Sequence, residues 1–178
     1  MTQGIQRLLA MPPTTSHARH APPAATPKPT GENVIFVVDD DNEIRETMRA
    51  VLEQEGHIVE DFSSCEDFLK AYAPGRSGCL LVDAYLPGMK GIELLRYLNT
   101  LQQHLPDIMI TGSRDVPMAV EAMKAGAYDF IEKPVTATDL VACVVRALEQ
   151  SHDASKLAAW RAEASQHIKG LTTRQRQV

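Results

Sequence analysis

The sequence predicts an α/β fold, in which a doubly wound parallel sheet of five strands carries five helices on its two faces. Short apolar runs alternate with segments of helical periodicity from residue 34 to residue 148, and this alternation is typical of parallel sheets. The first run, Val34–Val38, is apolar throughout, as expected of a strand that is buried on both faces. Aspartates follow it at once, where open α/β sheets bind their ligands.

The first half of the pattern contains three strands and two helices. Asp41 is expected to cap a helix that Gly56 ends, because a carboxylate accepts hydrogen bonds from free amides and glycine adopts the left-handed conformation at helix ends. Ser64 and Asp67 form a capping box at the start of the second helix. The predicted strands of this half are Val34–Val38, Ile58–Asp61 and Cys79–Val82.

The second half repeats the pattern with two strands and three helices. Leucines at helical spacing mark the third helix, Pro117 suits the first turn of the fourth, and Gly126 follows the end of the fourth. Thr136 and Asp139 form a second capping box, at the start of the fifth helix. The two predicted strands are Asp107–Ile110 and Tyr128–Ile131, and the leucines are Leu94, Leu95, Leu98 and Leu101.

Segments of a different composition flank this region. Residues 1–31 contain six prolines and are predicted to form a disordered arm, because they cannot bury enough apolar surface to offset the entropy of ordering. Residues 151–169 are rich in alanine and other helix formers, which predicts a linker helix. We therefore expect a central domain at residues 32–150 and the start of a further domain at residues 170–178.

Charge and cysteine content restrict the classes of function. The net charge of −5 divides into +3 for residues 1–30, +3 for residues 153–178 and −11 for the middle, which makes the middle a poor binder of nucleic acid by itself. Three scattered cysteines match neither a disulfide framework nor a metal motif, which favours a reducing cytoplasm. No apolar stretch approaches the ~20 residues that a membrane span needs, so no membrane contact is expected.

Five polar residues follow the ends of the predicted strands, and right-handed crossovers bring all these strand ends to one edge of the sheet. Carboxylate oxygens suit Mg²⁺, which offsets their mutual repulsion and the charge of an incoming phosphoryl group. Asp83 is then a candidate nucleophile that forms an acyl phosphate, Thr111 donates a hydrogen bond to a phosphoryl oxygen, and Lys133 supplies a positive charge. The five residues are Asp39, Asp40, Asp83, Thr111 and Lys133.

Five short motifs surround these residues. They are Val37–Asp41 (Val-Val-Asp-Asp-Asp), Leu81–Asp83 (Leu-Val-Asp), Leu86–Gly88 (Leu-Pro-Gly), Ile110–Gly112 (Ile-Thr-Gly) and Phe130–Pro134 (Phe-Ile-Glu-Lys-Pro). Together they resemble the receiver domain of bacterial two-component response regulators, whose CheY-like fold has the strand order 2-1-3-4-5. The resemblance covers about residues 33–150, and the region from Asp115 to Pro134 is similar to FixJ/NarL-type transcriptional regulators.

The resemblance implies a role for each residue of the site. Asp83 would accept a phosphoryl group from the phosphohistidine of a sensor histidine kinase, with Thr111 as the switch hydroxyl and Phe130 as the aromatic switch. The implied magnesium ligands are Asp39 through water, Asp40, Asp83 and the backbone carbonyl of Tyr85. Such a domain is not a classical enzyme, because it catalyses only its own phosphoryl transfer and dephosphorylation.

Two other uses of the same fold fit the residues less well. A flavodoxin-like module that binds FMN needs a phosphate loop rich in serine and threonine after the first strand, whereas the three carboxylates at residues 39–41 would repel the phosphate. A phosphatase with an aspartyl nucleophile needs an Asp-x-Asp-x-Thr sequence, which residues 83–87 do not contain.

The last eight residues of the sequence bear on how a signal would be passed on to DNA. Leu171–Val178 resembles the opening of a LuxR-type helix-turn-helix domain, so we expect a shortened piece of a regulator that binds DNA only through a C-terminal domain missing from this chain. The alternative is a stand-alone receiver that signals by protein contact. On phosphorylation we expect a homodimer, formed by the face of helix four, strand five and helix five or, in competition, by helices one and five. Glu121 and Arg146 are expected to pair across its two-fold axis.

Overall fold

The computed structural model of the protein describes residues 32–102, 105–112 and 114–175. The predicted disordered arm at residues 1–31 lies outside the described residues. Strands and helices alternate along the rest of the chain. They are β1 (Val34–Val38), α1 (Asn42–Gln54), β2 (Ile58–Phe62), α2 (Cys65–Ala71), β3 (Gly78–Asp83), α3 (Gly91–Thr100), β4 (Asp107–Thr111), α4 (Val116–Lys124), β5 (Asp129–Glu132) and α5 (Ala137–Gln175).

The five strands form one parallel sheet in the order β2-β1-β3-β4-β5, which confirms the predicted fold. The central strands β1, β3 and β4 are buried along their whole length. This burial explains their continuous apolar runs, because helices cover both faces of a sheet of this kind. The edge strand β2 has only one fully buried residue, Val59, and its polar residues are half-buried.

Four strands differ from the prediction by one residue at one or both ends. β2 continues to Phe62, β3 begins at Gly78 and ends at Asp83, β4 includes Thr111, and β5 is shifted to Asp129–Glu132. The reason is the same in each case, because ladder pairing depends on backbone groups and continues into positions that look polar or flexible in the sequence. Thr111 pairs with Glu132, for example, although both side chains are polar.

The core consists of two apolar layers, one on each face of the sheet. One layer packs α2, α3 and α4 against residues such as Phe36 and Met109, and the other packs α1 and α5 against Ile35 and Ile108. Phe68 of α2 is fully buried and contacts Phe36 edge to face, with ring centroids 5.6 Å apart. Burial of a side chain of this size stabilises the fold by roughly 1.5–3 kcal/mol.

The predicted helix caps are confirmed at three helices. Oδ1 of Asp41 accepts hydrogen bonds from the amides of Glu43 (2.9 Å) and Ile44 (3.3 Å), so Asp41 is the N-cap of α1. Ser64 accepts from the amide of Asp67 at the start of α2, and Thr136 accepts from the amide of Asp139 at the start of α5. These caps satisfy amides that a helix leaves free at its first turn.

The last helix, α5, runs from Ala137 to Gln175. It includes the segment for which we predict a linker helix and the first residues of the predicted further domain, and the domain boundaries themselves remain predictions. Leu157 and Trp160 are exposed in its second half. Among the described residues, no helix is long and apolar enough to cross a membrane.

Candidate functional site

Three carboxylates meet at the carboxyl edge of the sheet. Asp39 follows β1, Asp40 is the next residue, and Asp83 is the last residue of β3. Asp39 and Asp83 are buried and Asp40 is exposed, and each residue offers an oxygen within 4.8 Å of those of the other two. The adjacent positions of β1 and β3 in the sheet bring the three side chains together, as the sequence predicts.

Lys133 provides the positive charge of this cluster. Its Nζ lies 2.5 Å from Oδ2 of Asp83 and 3.4 Å from Oδ2 of Asp39. The backbone holds the residue in place, because the amide of Lys133 donates a hydrogen bond to the carbonyl of Thr111, 2.8 Å away. The lysine therefore bridges the two buried carboxylates from the end of β5.

The electrostatics of the cluster reflect burial and charge pairing. Burial raises the pKa of Asp39, while the hydrogen bond from the amide of Asp41 and the charge of Lys133 act in the opposite direction. Burial by itself would lower the pKa of Lys133, but the hydrogen bond and charge of Asp83, together with the charge of Asp39, outweigh it and raise that pKa. The ammonium group thus stays charged beside the carboxylates.

Thr111 ends β4 next to this cluster. Its side chain is buried, and its hydroxyl has no hydrogen-bond partner among the described residues. Buried hydroxyls are nearly always hydrogen-bonded, so an unpaired one at the ligand-binding edge of a sheet points to a group that it can meet there.

Tyr85 connects Asp83 with the start of α4. Its amide donates a hydrogen bond to Oδ1 of Asp83 (2.9 Å), and its hydroxyl donates one to Oδ2 of Asp115 (2.5 Å). Asp115 is also the N-cap of α4, because its Oδ1 accepts from the amide of Met118. The hydrogen bond to Asp115 raises the pKa of the Tyr85 phenol. The predicted role of the Tyr85 carbonyl as a metal ligand stays a prediction.

Phe130 lies on β5, away from the carboxylates, and 37% of its surface is exposed. It borders an apolar groove between β5 and α4. Exposed side chains of α4 form the other wall of this groove. They are Val116, Val120 and Met123.

Several residues that shape the site were not singled out by the sequence pattern. A Cβ atom at Gly91, the first residue of α3, would collide with the backbone carbonyl of Asp83, so only glycine fits there. Glu66 of α2 accepts a hydrogen bond from the amide of Met89 and so holds the β3–α3 loop. The peptide bond between Lys133 and Pro134 is cis. The sequence offered no signal for these contacts, because each depends on how distant segments approach in space.

The donor set of the cluster fits a hard divalent cation. Asp39, Asp40 and Asp83 supply carboxylate oxygens only, and Mg²⁺ and Ca²⁺ prefer such oxygen ligands. The cluster has the exposed carboxylate of Asp40 on its open side, which leaves room for the water molecules that Mg²⁺ retains.

The doubly wound sheet, with its acidic cluster, its lysine and its buried threonine at the carboxyl edge, defines a CheY-like signalling domain rather than a classical enzyme. The sequence model of the response regulator receiver domain matches residues 35–145, and the chain belongs to this family.

The proteins that the chain resembles include FixJ and other response regulators. The transcriptional regulatory protein FixJ of Azorhizobium caulinodans is 41% identical over 144 residues, which are 81% of this chain and 68% of FixJ. The crystal structure of FixJ-N superimposes with a TM-score of 0.60 at 42% identity and covers 68% of this chain and 94% of that chain. The structure of the response regulator StyR gives a TM-score of 0.73 at 35% identity, covering 78% of this chain and 70% of that chain. The predicted family is therefore confirmed.

Proposed function

We propose that Asp83 accepts a phosphoryl group from the phosphohistidine of a sensor histidine kinase. The observation that carries the proposal is the contact between the buried carboxylate of Asp83 and Lys133, within a cluster of two further carboxylates. A carboxylate oxygen of Asp83 forms a bond to phosphorus while the phosphorus–nitrogen bond of the donor breaks. The electron pair of that bond stays on the imidazole, and the aspartate becomes an acyl phosphate.

The other side chains of the site stabilise the transferred group. Lys133 already contacts Asp83, so its ammonium group lies where the phosphoryl oxygens of an acyl phosphate carry their charge. The hydroxyl of Thr111 donates a hydrogen bond to one of these oxygens, which gives the buried hydroxyl the partner that it lacks among the described residues. The same groups assist the attack of water that later removes the phosphoryl group.

Magnesium is the proposed cofactor. Asp40 and Asp83 would bind it directly, Asp39 would bind it through water, and the carbonyl of Tyr85 would complete the set of protein ligands. When bound, Mg²⁺ offsets the repulsion between the carboxylates and the phosphoryl group.

Phosphorylation is proposed to act on the face formed by α4, β5 and α5. The acyl phosphate draws the hydroxyl of Thr111 towards Asp83, and Phe130 turns inward from its exposed position into the space that Thr111 leaves. The groove between Phe130 and the apolar side chains of α4 changes its shape as a result. Apolar surface of this kind is typical of a protein contact site.

A homodimer through this face is proposed as the active state. The pair that we expected across the two-fold axis is weakly supported, because both partners already have contacts within the chain. Glu121 accepts a hydrogen bond from Arg96 (2.7 Å), and Arg146 donates one to Asp129 (2.8 Å). The apolar residues of the groove are therefore the better candidates for the contact. The competing interface, α1 with α5, remains the alternative.

The output is proposed to be transcription, through a DNA-binding domain that follows the segment at residues 170–178. The support is that relatives such as FixJ are transcriptional regulatory proteins by name. A stand-alone receiver that signals by protein contact is the alternative. A reading frame that continues beyond Val178 into a helix-turn-helix would decide for the first, and one that stops there would decide for the second.

Phosphorylation is tested with acetyl phosphate, or with beryllofluoride as its mimic, in the presence of Mg²⁺. We expect one adduct on the wild-type protein by intact mass and none on Asp83→Asn. Asp107→Asn is the matched control, because Asp107 is also a buried aspartate of the sheet but lies at its other edge. Equal labelling of Asp83→Asn and wild type would refute the assignment.

Magnesium binding is tested by calorimetry. Asp40→Ala should bind Mg²⁺ more weakly than the wild type, because it loses a direct ligand. Asp41→Ser is the control, since it removes a charge from the same loop and retains a side chain that can cap α1. Unchanged affinity in Asp40→Ala would remove Asp40 from the site.

The dimer is tested by sedimentation with and without beryllofluoride. We expect a monomer without it and a dimer with it, and Val120→Asp should prevent the dimer, because a charge in the groove opposes apolar contact. A monomer in both states excludes the dimer, and a dimer in both states excludes phosphorylation as its trigger.

A further inference from the structure

Arg45 connects three segments around the acidic loop. All three nitrogens of its guanidinium group donate hydrogen bonds, and only 11% of its side chain is exposed. Nε contacts Oδ2 of Asp61 on β2 (3.2 Å), Nη1 contacts the backbone carbonyl of Asp39 (2.7 Å), and Nη2 contacts Oδ1 of Asn42 (2.9 Å). A planar fork of this kind holds its partners in fixed directions, which a lysine cannot do.

The contact with the carbonyl of Asp39 concerns the metal site directly. This carbonyl belongs to the peptide that joins Asp39 to Asp40, so its direction determines where the side chain of Asp40 begins. The carboxylate of Asp40 itself has no hydrogen bond or ion pair within the described ranges, in contrast to Asp39, whose carboxylate is bound by the amide of Asp41 and by Lys133. The position of Asp40 therefore depends on its backbone.

Asp61 anchors the arginine from the opposite side. It is the fourth residue of β2, and it forms ion pairs with both Arg45 and Arg49, which lie one turn apart on α1. Arg49 makes its remaining contacts with Glu53 and the carbonyl of Val59. The two arginines thus share one carboxylate, but only Arg45 continues to the acidic loop.

We propose that Arg45 is a positioning residue for magnesium, which fixes the peptide between Asp39 and Asp40 and so places the carboxylate of Asp40 for the metal. The inference rests on the proposed function, because it concerns the same metal site. Loss of the positioning role would weaken Mg²⁺ binding. If Arg45 acted through its charge alone, replacing it by an uncharged residue would instead strengthen Mg²⁺ binding, since a nearby positive charge opposes the binding of a cation. The two roles can therefore be separated by the sign of the change in affinity.

The test measures Mg²⁺ affinity by calorimetry on Arg45→Lys and Arg45→Gln. We expect the dissociation constant to rise about tenfold in both variants, as is usual when a residue that supports a metal ligand is replaced. Arg49→Gln is the matched control, because it removes a positive charge and a contact with the same carboxylate of Asp61 but leaves the hydrogen bond between Arg45 and the Asp39 carbonyl. Its affinity should stay at the wild-type value or increase slightly. Urea unfolding of each variant reports the loss of stability separately.

The outcomes separate the inference from the proposed function. Wild-type protein that binds no Mg²⁺ would refute the proposed function. Wild-type binding together with unchanged or tighter binding in Arg45→Lys would refute the positioning role alone. If the Arg45 variants do not fold, Asp61→Glu decides, since it keeps the negative charge but displaces the carboxylate that anchors Arg45: weaker Mg²⁺ binding supports the inference, and unchanged binding overturns it.

Discussion

Both ends of the sheet bury aspartates, and the surroundings of Asp39 at one end differ from those of Asp107 at the other. Asp39, at the carboxyl edge, is fully buried, and its carboxylate is bound by the amide of Asp41 (2.8 Å) and by Lys133 (3.4 Å). Asp107, at the amino edge, is 5% exposed, and its Oδ2 has no hydrogen-bond partner among the described residues. The carboxylate of Asp39 therefore has the ammonium group of Lys133 and the amide dipole of Asp41 beside it, whereas the carboxylate of Asp107 has few partners that offset the cost of its burial.

This difference appears in the pKa values. Burial raises the pKa of both carboxyl groups, but at Asp39 the Asp41 amide and Lys133 act against the effect of burial. At Asp107 only its own backbone amide does so, and burial raises the pKa to about 7. A buried carboxylate by itself thus does not identify a site that works on phosphoryl groups. Such a site also needs the cation and the hydroxyl that converge on Asp83 from other strands.

The largest effect is expected at Asp107. Because its pKa is about 7 in the folded protein and 3.8 in the ordinary case, its contribution to stability is fully present below about pH 4 and is lost as the pH rises through about 7. The loss amounts to as much as about 4 kcal/mol, at 1.36 kcal/mol per pKa unit. Urea unfolding of wild type and Asp107→Asn from pH 4 to pH 8 should show a steeper decline of stability in the wild type than in the variant.

The comparison between the two profiles removes the contribution of Asp39, whose raised pKa gives a decline of the same sign in both proteins. It also removes any constant cost of placing an amide at position 107. Parallel profiles in wild type and variant would show that Asp107 does not titrate in the folded protein in this range.

A smaller effect is expected at Lys133. Lys133→Met leaves the buried carboxylates of Asp39 and Asp83 without their cation, and we expect a loss of about 1–2 kcal/mol of stability at pH 7. The value lies below that of a fully buried pair, because 31% of the lysine side chain is exposed. Excess Mg²⁺ should restore part of the loss, since a metal ion supplies the missing positive charge. Urea unfolding with and without Mg²⁺ measures both effects.

Asp107→Asn is the control for the rescue, because no cluster of metal ligands is found near Asp107 among the described residues. Its stability should respond to Mg²⁺ as the wild type does. A Lys133→Met protein as stable as the wild type would mean that Lys133 contributes little to holding the carboxylates together. A destabilised Lys133→Met protein that gains no more stability from Mg²⁺ than the wild type does would mean that the metal does not replace the charge of the lysine.

The sequence predicted the carboxyl edge better than the amino edge, for a physical reason. The polar residues Asp39, Asp83 and Lys133 each follow an apolar run, and the topology of parallel sheets then requires these strand ends to meet. Asp107 precedes an apolar run and was interpreted as the start of a strand, since nothing in the pattern shows that its carboxylate would be buried. Burial of this kind depends on packing rather than on periodicity.

The contacts between loops were beyond prediction for a related reason. Arg45 stands at an unremarkable position of an amphipathic helix, and its reach to the carbonyl of Asp39 depends on the rotamer of a long side chain. The hydrogen bond between Tyr85 and Asp115 joins residues 30 positions apart in two different loops. The element order, the strand order and the convergence of the strand ends follow from pattern and topology, whereas these contacts follow from side-chain geometry.

The smallest effect is expected where a hydrogen bond is exposed to water. Asp115 accepts a hydrogen bond from the hydroxyl of Tyr85. Tyr85 is 52% exposed, so water can replace either partner when the other is removed. The change should therefore appear in the titration of the phenol rather than in stability. The hydrogen bond raises the pKa of Tyr85, so Asp115→Ser, which retains a side chain that can cap α4, should return that pKa towards its ordinary value. Spectrophotometric titration, with Tyr85→Phe to identify the phenol concerned, measures this shift. An unchanged tyrosine titration in Asp115→Ser would show that the hydrogen bond between Tyr85 and Asp115 does not persist in solution.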